Sequence, residues 1–373
     1  MMDFLNSFKS LIKLEQIRTD NNVFRLHYKL TVIVLIVFSI LLTSKQYFGD
    51  PIQCQVTDKD MKDLIQTYCW IYGTYVVKHT LADEVKGIPG LGTDRRQVAP
   101  WIRQLEAGPD DDIIWHKYYQ WVCIVFCFQA LLFYMPRYLW KTWEGGRLRQ
   151  LVNDLNTPLV TAAWNQTTKT QLVQYLICGK YQNNLYALRY SVCEFLNLIN
   201  VVLQIFLMDW FLGGQFSFYG LAMLTSGEIN PMTQAFPKLT KCQFWKYGHS
   251  GSLENRDALC VLSLNVLNEK LFLVLWFWLF ILSVVTLLSL IYRLFVIFVP
   301  KLRVYLLMAQ ARFIGNKHAS LIINRMQYGD FFLLYHVGKN INPIIFRELV
   351  LGIYETLKTK HPYVYPGVEV NTI

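Results

Sequence analysis

The chain has 373 residues, of which 53% are hydrophobic and 15% aromatic, and its formal net charge is +10. Only 17% of the residues are charged, against about 25% in soluble domains. This composition argues against an ordinary soluble protein and favours a membrane protein.

Residues 1–29 are predicted to form a cytoplasmic amphipathic N-terminal helix. Apolar side chains lie within about 120° of helical arc, opposite Lys9 and Lys13. They are Phe4, Leu5, Phe8, Leu11 and Ile12. Such a helix either lies on the inner membrane surface or folds into a pore vestibule. The sequence pattern does not separate these two interpretations.

Four segments are predicted to cross the membrane as helices, because about 20 apolar residues suffice to cross the hydrocarbon core. The fourth contains 22 consecutive uncharged residues. The first contains only 15, so that Lys45 must reach toward the interface. The predicted spans are residues 30–48, 117–137, 190–212 and 271–292.

The third span is the most polar of the four. Glu194, Asn197, Asn200 and Gln204 fall within about 120° of one helical face. Polar residues inside a span face either protein or water, so this face either packs against other helices or borders an aqueous path.

Two long segments between the spans, residues 49–116 and 213–270, are predicted to be extracellular loops with a small β content. Each contains two of the eight cysteines, which fits an oxidising compartment. These four cysteines are Cys54, Cys69, Cys242 and Cys260. Four cysteines allow three pairings, and the residues alone do not choose among them. Pairing between the loops would brace them into one unit.

The distribution of charge predicts the orientation of the chain. Residues 1–29, 137–189 and 293–373 contain 22 Lys and Arg against 9 Asp and Glu, whereas residues 46–117 and 211–270 contain 13 and 15. Lys and Arg accumulate on the cytoplasmic side of membrane proteins. Both termini are therefore predicted to be cytoplasmic, and the positive charge reflects topology and predicts no nucleic-acid partner.

The cytoplasmic segments are a loop, residues 138–189, and a C-terminal part, residues 293–373. Apolar residues at helical spacing between 301 and 358 predict a small helical domain. We expect its helices to be interrupted at Gly315, at Gly329 and at Asn342-Pro343, and to be followed by a short tail.

Signatures of enzymes are scarce. The stretch from Gly87 to Gly92 has no preceding strand and no following Lys-Ser or Lys-Thr, as a phosphate loop requires. His-Glu-x-x-His and Cys-x-x-Cys do not occur in the sequence. We therefore expect no catalysis, no metal site and no cofactor, with lipids as the only bound small molecules.

The second span begins with a distinctive word, Tyr118-Tyr119-Gln120-Trp121-Val122, and Pro136 follows near its end. Further words lie before and after the first span and in the second outer loop. These are Asp20-Asn21-Asn22-Val23-Phe24-Arg25, Gln46-Tyr47-Phe48-Gly49-Asp50-Pro51-Ile52-Gln53-Cys54 and Phe236-Pro237-Lys238-Leu239-Thr240-Lys241-Cys242. Together they resemble the innexin family of gap-junction proteins over nearly the whole chain, and insect members above all. By itself, Tyr119-Gln120-Trp121-Val122 has a structural interpretation, an aromatic anchor at the interface with Gln120 hydrogen-bonded to a neighbour.

The resemblance implies an octameric hemichannel at cell-cell junctions of the plasma membrane. It would dock head to head with a hemichannel of the adjacent cell, either one of the same chain or one containing other innexins, and pass ions and small molecules. The resemblance also implies disulfides joining Cys54 to Cys260 and Cys69 to Cys242. The pore-lining candidates that it suggests are Met1, Met2, Asp3, Phe4, Phe48, Gly49 and Asp50.

Other four-span proteins remain as alternatives. A pannexin-like channel, which opens to the outside without pairing, shares the four spans and the two cysteines per outer loop. Tyr119-Gln120-Trp121-Val122 argues against it. A connexin would have three cysteines per loop, and a tetraspanin would contain Cys-Cys-Gly, which the sequence lacks.

Overall fold

The computed structural model describes residues 17–56, 59–77, 87–88, 91–92, 113–153, 155, 164–179, 182–225 and 235–359. Its helices are α1 Asn22–Phe48, α2 Lys62–Tyr72, α3 Val122–Glu144, α4 Arg147–Val152, α5 Gln166–Cys178, α6 Asn184–Phe211, α7 Phe216–Thr225, α8 Ser263–Phe298, α9 Pro300–Gln310, α10 Asn316–Arg325, α11 Tyr328–Asn340 and α12 Pro343–Thr359. Its strands are β1 Gln53–Gln55, β2 Thr74–Val77, β3 Gly87–Ile88, β4 Leu91–Gly92, β5 Ile113–His116, β6 Leu239–Tyr247 and β7 Leu253–Val261. The predicted N-terminal amphipathic helix, residues 4–13, lies outside the described residues.

Four of these helices, α1, α3, α6 and α8, are long and apolar enough to cross a membrane. Each differs in its bounds from the predicted span. α8 has 36 residues, or about 54 Å at 1.5 Å per residue, while the hydrocarbon core is only about 30 Å thick. Hydropathy marks only the uncharged part of such a helix, because backbone hydrogen bonding continues beyond the membrane.

α1 begins before the first predicted span, and α3 ends after the second. α1 begins at Asn22, so residues 22–29 belong to the first spanning helix and not to a separate N-terminal helix. A π-helical turn, Leu26–Thr31, lies near its start. α3 contains Pro136 and continues to Glu144, because neighbouring helices in membrane proteins satisfy the carbonyl that a proline leaves without its donor.

The chain divides into two compact units. The first unit comprises residues 1–29, 134–198 and 285–373, and the second comprises residues 30–133 and 199–284.

The core of the first unit is aromatic where α3, α6 and α11 meet. The Tyr190 ring lies 4.8 Å from that of Trp140 and 5.1 Å from that of Phe332. All three side chains are at most 2% exposed. Helices α9 to α12 surround this core and form the helical domain that the C-terminal pattern predicts.

One of the expected interruptions in this domain lies elsewhere. Gly329 is the second residue of α11, which begins after a capping box formed by Gln327 and Asp330. The break precedes it, at residues 326 and 327. Gly329 is needed for close packing, because a Cβ there would lie 2.5 Å from backbone atoms of Asn183 and Asn184.

A buried ion pair connects α6 to α8 in the first unit. Arg293 Nη2 and Nε donate to the two carboxylate oxygens of Glu194 at 2.7 and 2.8 Å. Asn21 Nδ2 donates to the same carboxylate at 2.9 Å. The pair is bidentate, which is the strongest arrangement of a guanidinium and a carboxylate.

The other polar residues of the α6 face are also buried. Asn197 is 2% and Gln204 0% exposed, and Gln204 Nε2 donates to Asn200 Oδ1 at 3.2 Å. Of the two interpretations of this face, the structure agrees with packing against protein.

The segment before α1 is held by side chains of the first unit. Asp20 accepts Arg25 Nε at 3.0 Å and lies 3.3 Å from Arg137 Nη1. Asn340 contacts the backbone of Arg18 twice, accepting from its N–H at 2.6 Å and donating to its carbonyl at 2.8 Å. These contacts fix where the N-terminal segment leaves the unit.

The second unit contains a five-stranded sheet in the order β1-β7-β6-β2-β5. All of its neighbouring strands are antiparallel. β6 and β7 form a long hairpin with nine paired positions, from Leu239 opposite Val261 to Tyr247 opposite Leu253. Strands from both predicted outer loops thus share one sheet.

Replacement of Glu194 by Ala is expected to destabilise the protein by about 3 to 5 kcal/mol, because Arg293 would remain buried without its carboxylate. Replacement of both charges, Glu194→Leu with Arg293→Met, should recover much of this loss, since no buried charge would then be left unpaired. Thermal unfolding in detergent, followed by tryptophan fluorescence, measures both. A double variant that melts no higher than Glu194→Ala would show that the ion pair itself does not explain the loss.

Candidate functional site: the disulfide-braced loop domain

Two disulfides join the two predicted outer loops. Cys54 is bonded to Cys260 with an S–S distance of 2.01 Å, and Cys69 to Cys242 with 1.99 Å. The bonds connect residues separated by 206 and 173 positions in the chain. These are the two pairs that the family resemblance implies. They make up one of the three pairings that four cysteines allow. We refer to the braced region, residues 49–77, 113–121 and 235–262, as the loop domain.

The sheet explains the pairing of these cysteines. β1 lies beside β7 with Cys54 directly opposite Cys260, and their Cα atoms are 4.0 Å apart. Cys242 lies on the neighbouring strand β6, where α2 brings Cys69 to a Cα distance of 5.9 Å. Strand register therefore decides which cysteines meet, and cysteine spacing in the sequence carries no such information.

The same cysteines form a cluster of sulfur atoms that superficially suits a metal ion. The Sγ atoms of Cys54, Cys69 and Cys260 lie within 4.8 Å of one another. Metals bind cysteine as the thiolate, and each of these sulfurs is committed to a disulfide. The donor set of this cluster therefore does not fit a metal.

Two residues of the distinctive word hold α2 in place. Tyr119 Oη donates to the carbonyl of Cys69 at 3.2 Å, and Gln120 Nε2 donates to the carbonyl of Trp70. The Tyr119 ring stacks on Trp70 with 4.7 Å between centroids. The last carbonyls of a helix have no partner within the helix, so these side chains cap the end of α2 beside the Cys69 disulfide.

The residues of this word differ in exposure. Tyr119 is only 1% exposed. Trp121 is 58% exposed, so it is the residue of the word that suits an aromatic anchor at the interface. Tyr118 Oη donates to the carbonyl of Ala235 at 3.2 Å, which connects the word to the second of the predicted outer loops.

The far end of the β6–β7 hairpin is exposed and partly apolar. Tyr247 is 74% exposed, Leu253 57% and Trp245 51%. Residues 248–252 connect the strands, and Gly251 adopts a φ of +80° that favours glycine in the turn. Clustered exposed apolar residues mark surfaces that bind other molecules, which makes this end a candidate contact surface.

The pore-lining candidates fall into two groups. Met1, Met2, Asp3 and Phe4 lie outside the described residues. Phe48, Gly49 and Asp50 lie where α1 ends, and Phe48 is 91% exposed. Ser263 Oγ donates to the carbonyl of Asp50, which fixes this junction against the start of α8.

Sequence reasoning did not find several residues that position these elements. Asp20 and Asn21 were noticed only as part of a family word, although they contact Arg137 and Glu194. Asn340 was also not singled out. An acidic or amide residue next to a span is the available signal for Asp20 and Asn21. Their partners Arg137 and Glu194, like Arg18 for Asn340, lie more than 100 positions away in the chain.

The fold defines the chain as a four-span membrane protein whose two predicted outer loops share one disulfide-braced sheet. Comparison with known proteins specifies the family. A family model described as Innexin matches residues 20–357. The chain is 49% identical to Innexin inx2 of Drosophila melanogaster over 94% of each chain. It is 48% identical to Innexin inx2 of Schistocerca americana over 96% of this chain and 99% of that one.

Similarity extends to other innexins as well. The chain is 41% identical to Innexin shaking-B of Drosophila melanogaster over 99% of this chain and 98% of that protein. The chain belongs to the innexin family and is a gap-junction channel subunit.

Removal of one disulfide, by Cys69→Ser with Cys242→Ser, is expected to destabilise the loop domain by about 2 to 4 kcal/mol. Junctional coupling should be lost, because α2 would no longer be joined to β6. Thermal unfolding and coupling between paired cells measure these effects. Cys127→Ser, at an exposed free cysteine, is the matched control, and a comparable loss in that variant would argue against the disulfide as the cause.

A pH dependence is expected from His116, which is 6% exposed. Burial lowers the pKa of its imidazole from 6.5 to about 4. Above pH 6.5 both folded and unfolded chains carry a neutral imidazole, so the residue contributes no pH dependence. As the pH falls from 6.5 toward 4, the unfolded chain binds the proton first, and the free energy of unfolding decreases by up to about 1.4 kcal/mol per pH unit.

His116→Phe should remove this dependence and keep an aromatic ring against Tyr118. The melting temperature measured between pH 7 and about pH 4.5 tests the prediction. The control is His249→Phe, at the exposed end of the hairpin, which should melt like the wild type at each pH. An unchanged pH profile in His116→Phe would show that other groups cause the acid sensitivity.

Proposed function

We propose that the chain assembles into an octameric hemichannel that docks, through the hairpin ends of its loop domains, with a hemichannel of the adjacent cell. Ions and small molecules would then pass between the two cytoplasms. The observation that carries this proposal is the sharing of one sheet by both outer loops, braced by two disulfides. A docking surface has to hold its shape without a partner, because ordering a flexible loop on contact reduces affinity.

The proposed orientation places both termini in the cytoplasm and the loop domain outside the cell. Two arguments support it. Disulfides persist in oxidising compartments, and both disulfides lie in the loop domain. The segments proposed to be cytoplasmic contain 22 basic and 9 acidic residues, as expected from the excess of Lys and Arg on that side.

The proposed pore begins at the N-terminal segment, with Met1, Met2, Asp3 and Phe4 at its cytoplasmic mouth, and continues past Phe48, Gly49 and Asp50. Support for the second group comes from exposure, because Phe48 ends a spanning helix with 91% of its surface uncovered within the single chain. An apolar residue left uncovered in the single chain is available to line the pore in a ring of subunits.

We further propose that the chain is not an enzyme, that it needs no cofactor other than bound lipid, and that it can combine with other innexins within or across junctions. The second candidate function is an unpaired channel that releases small molecules to the outside, as in pannexins. The exposed apolar end of the hairpin favours docking, because clustered exposed apolar residues such as Tyr247 and Leu253 mark surfaces that bind other molecules.

Dual voltage clamp of paired cells tests the proposal. Junctional current is expected when both cells express the chain and not when only one does. Current across the membrane of single cells without any junctional current would contradict docking and favour the unpaired channel.

A variant of the hairpin end makes this test specific. Tyr247→Asp places a charge at a contact that excludes water, so junctional current should fall at least about tenfold, as for a hot-spot residue. Tyr247→Phe keeps the ring and should couple normally. Surface labelling and single-cell current establish that both variants still form channels. Normal coupling in Tyr247→Asp would exclude this end of the hairpin as the docking surface.

A further inference from the structure

A cavity of about 210 Å³ lies in the first unit, where the beginning of α1, the end of α8 and helix α11 meet. Arg293 and Lys339 line it, together with the three tyrosines Tyr292, Tyr328 and Tyr335. Its lining contains no carboxylate. Apart from Asn21 and Asn22, the other lining residues are apolar. The walls of this cavity therefore present cations and hydrogen-bond donors.

The carboxylates nearest to the cavity are already engaged. Glu194 accepts two hydrogen bonds from Arg293 and one from Asn21. Asp20 is paired with Arg25 and Arg137. Within the part of the chain that the structure describes, no carboxylate forms an ion pair with Lys339. The cations around the cavity thus outnumber the anions.

The state of Lys339 reflects this excess of positive charge. Partial burial, and then the charges of Arg293, Arg18 and Arg25, lower the pKa of its ammonium group, while the charge of Asp20 raises it. The ammonium lies 4.8 Å from the centroid of the Tyr335 ring, an arrangement that stabilises a cation without cancelling its charge. An anion in the cavity would relieve the repulsion among these cations.

The size of the cavity limits the class of ligand. Drug-sized ligands occupy about 300 to 1,000 Å³, so about 210 Å³ is too small for a nucleotide. A single phosphate group, which accepts hydrogen bonds through several oxygens, fits both this space and the surrounding donors.

The position of the cavity favours a phosphate that is attached to a lipid. Tyr292 and Val296 belong to α8, a membrane-spanning helix. Apolar side chains of α8 remain exposed beside them and beyond, with Phe295 58% and Phe298 76% exposed. The apolar surface of this helix thus continues past the level of the cavity, which places its mouth near the headgroups of the lipid bilayer, where tyrosines are also enriched.

We propose that this cavity is a binding site for a phosphate group, carried by the headgroup of an acidic membrane lipid and held by Lys339 and the tyrosine hydroxyl groups. A phosphate bound there would stabilise the chain just before α1, because Asn21 lines the cavity and also donates a hydrogen bond to Glu194. A small soluble phosphate compound offers the same chemistry from a different source.

Native mass spectrometry and thermal unfolding of the full-length protein test the proposal. The protein is compared in nanodiscs of phosphatidylcholine alone and of phosphatidylcholine with phosphatidylinositol. Retention of phosphatidylinositol and a higher melting temperature are expected for the wild type. Lys339→Gln should bind this lipid about fivefold more weakly, the contribution of one basic residue near an anionic lipid surface.

Two matched variants control for charge and for folding. Lys339→Arg keeps the positive charge and should bind phosphatidylinositol like the wild type. Lys358→Gln removes one charge from an exposed position of α12 and should also bind normally. Equal retention of the lipid by Lys339→Gln and the wild type would overturn the proposal.

A soluble probe separates the two sources of phosphate. Inositol monophosphate, added to the protein in phosphatidylcholine nanodiscs, should raise the melting temperature much less than phosphatidylinositol does, because it lacks the acyl chains that remain in the bilayer. An equal effect at equal concentration, lost in Lys339→Gln, would overturn the assignment to a lipid in favour of a soluble phosphate. Both readouts are independent of channel docking.

Discussion

The two disulfides of the loop domain are the constraint on which the proposed docking surface depends. They join segments 206 and 173 residues apart, and a three-residue strand such as β1 would not pair stably without such a connection. With the bonds in place, β1 adds to the β6–β7 hairpin and α2 packs beside it. Tyr119 and Gln120 then fix the end of α2 through its backbone carbonyls. The hairpin is therefore braced by the disulfides that join β7 to β1 and β6 to α2. The end of α2 is in turn held by the hydrogen bonds of Tyr119 and Gln120.

The first unit relies on buried charges. Glu194 with Arg293, and Asp20 with Arg25 and Arg137, occupy positions where an unpaired charge would cost several kcal/mol. Glu194 and Asp20 already have their cations, and no carboxylate among the described residues forms an ion pair with Lys339. The ion pairs that order the root of the N-terminal segment are thus also the reason that the neighbouring cavity suits an anion.

Much of the fold could be predicted from the sequence, because the membrane imposes its requirements locally. Predominantly apolar runs predicted four spans, and α1, α3, α6 and α8 are the four helices among the described residues that could cross a membrane. The ends of those helices could not be predicted, since beyond the membrane they depend on packing, as at Glu144 and Asn22. Gly329 shows the same limit, because its role comes from contact with a backbone 145 residues away.

The sequence by itself determined the class of protein, the number of spans and, through the resemblance carried by Tyr118 to Val122, the family. Hydropathy and cysteine content suffice for the class and the number of spans, because each residue responds to its own surroundings of lipid or oxidising solvent. Only the tertiary structure decided the strand register that sets Cys54 opposite Cys260, the capping of α2 by Tyr119, and the partners of Glu194. These depend on atoms that meet across more than 40 positions of the chain, and no local pattern encodes such distances.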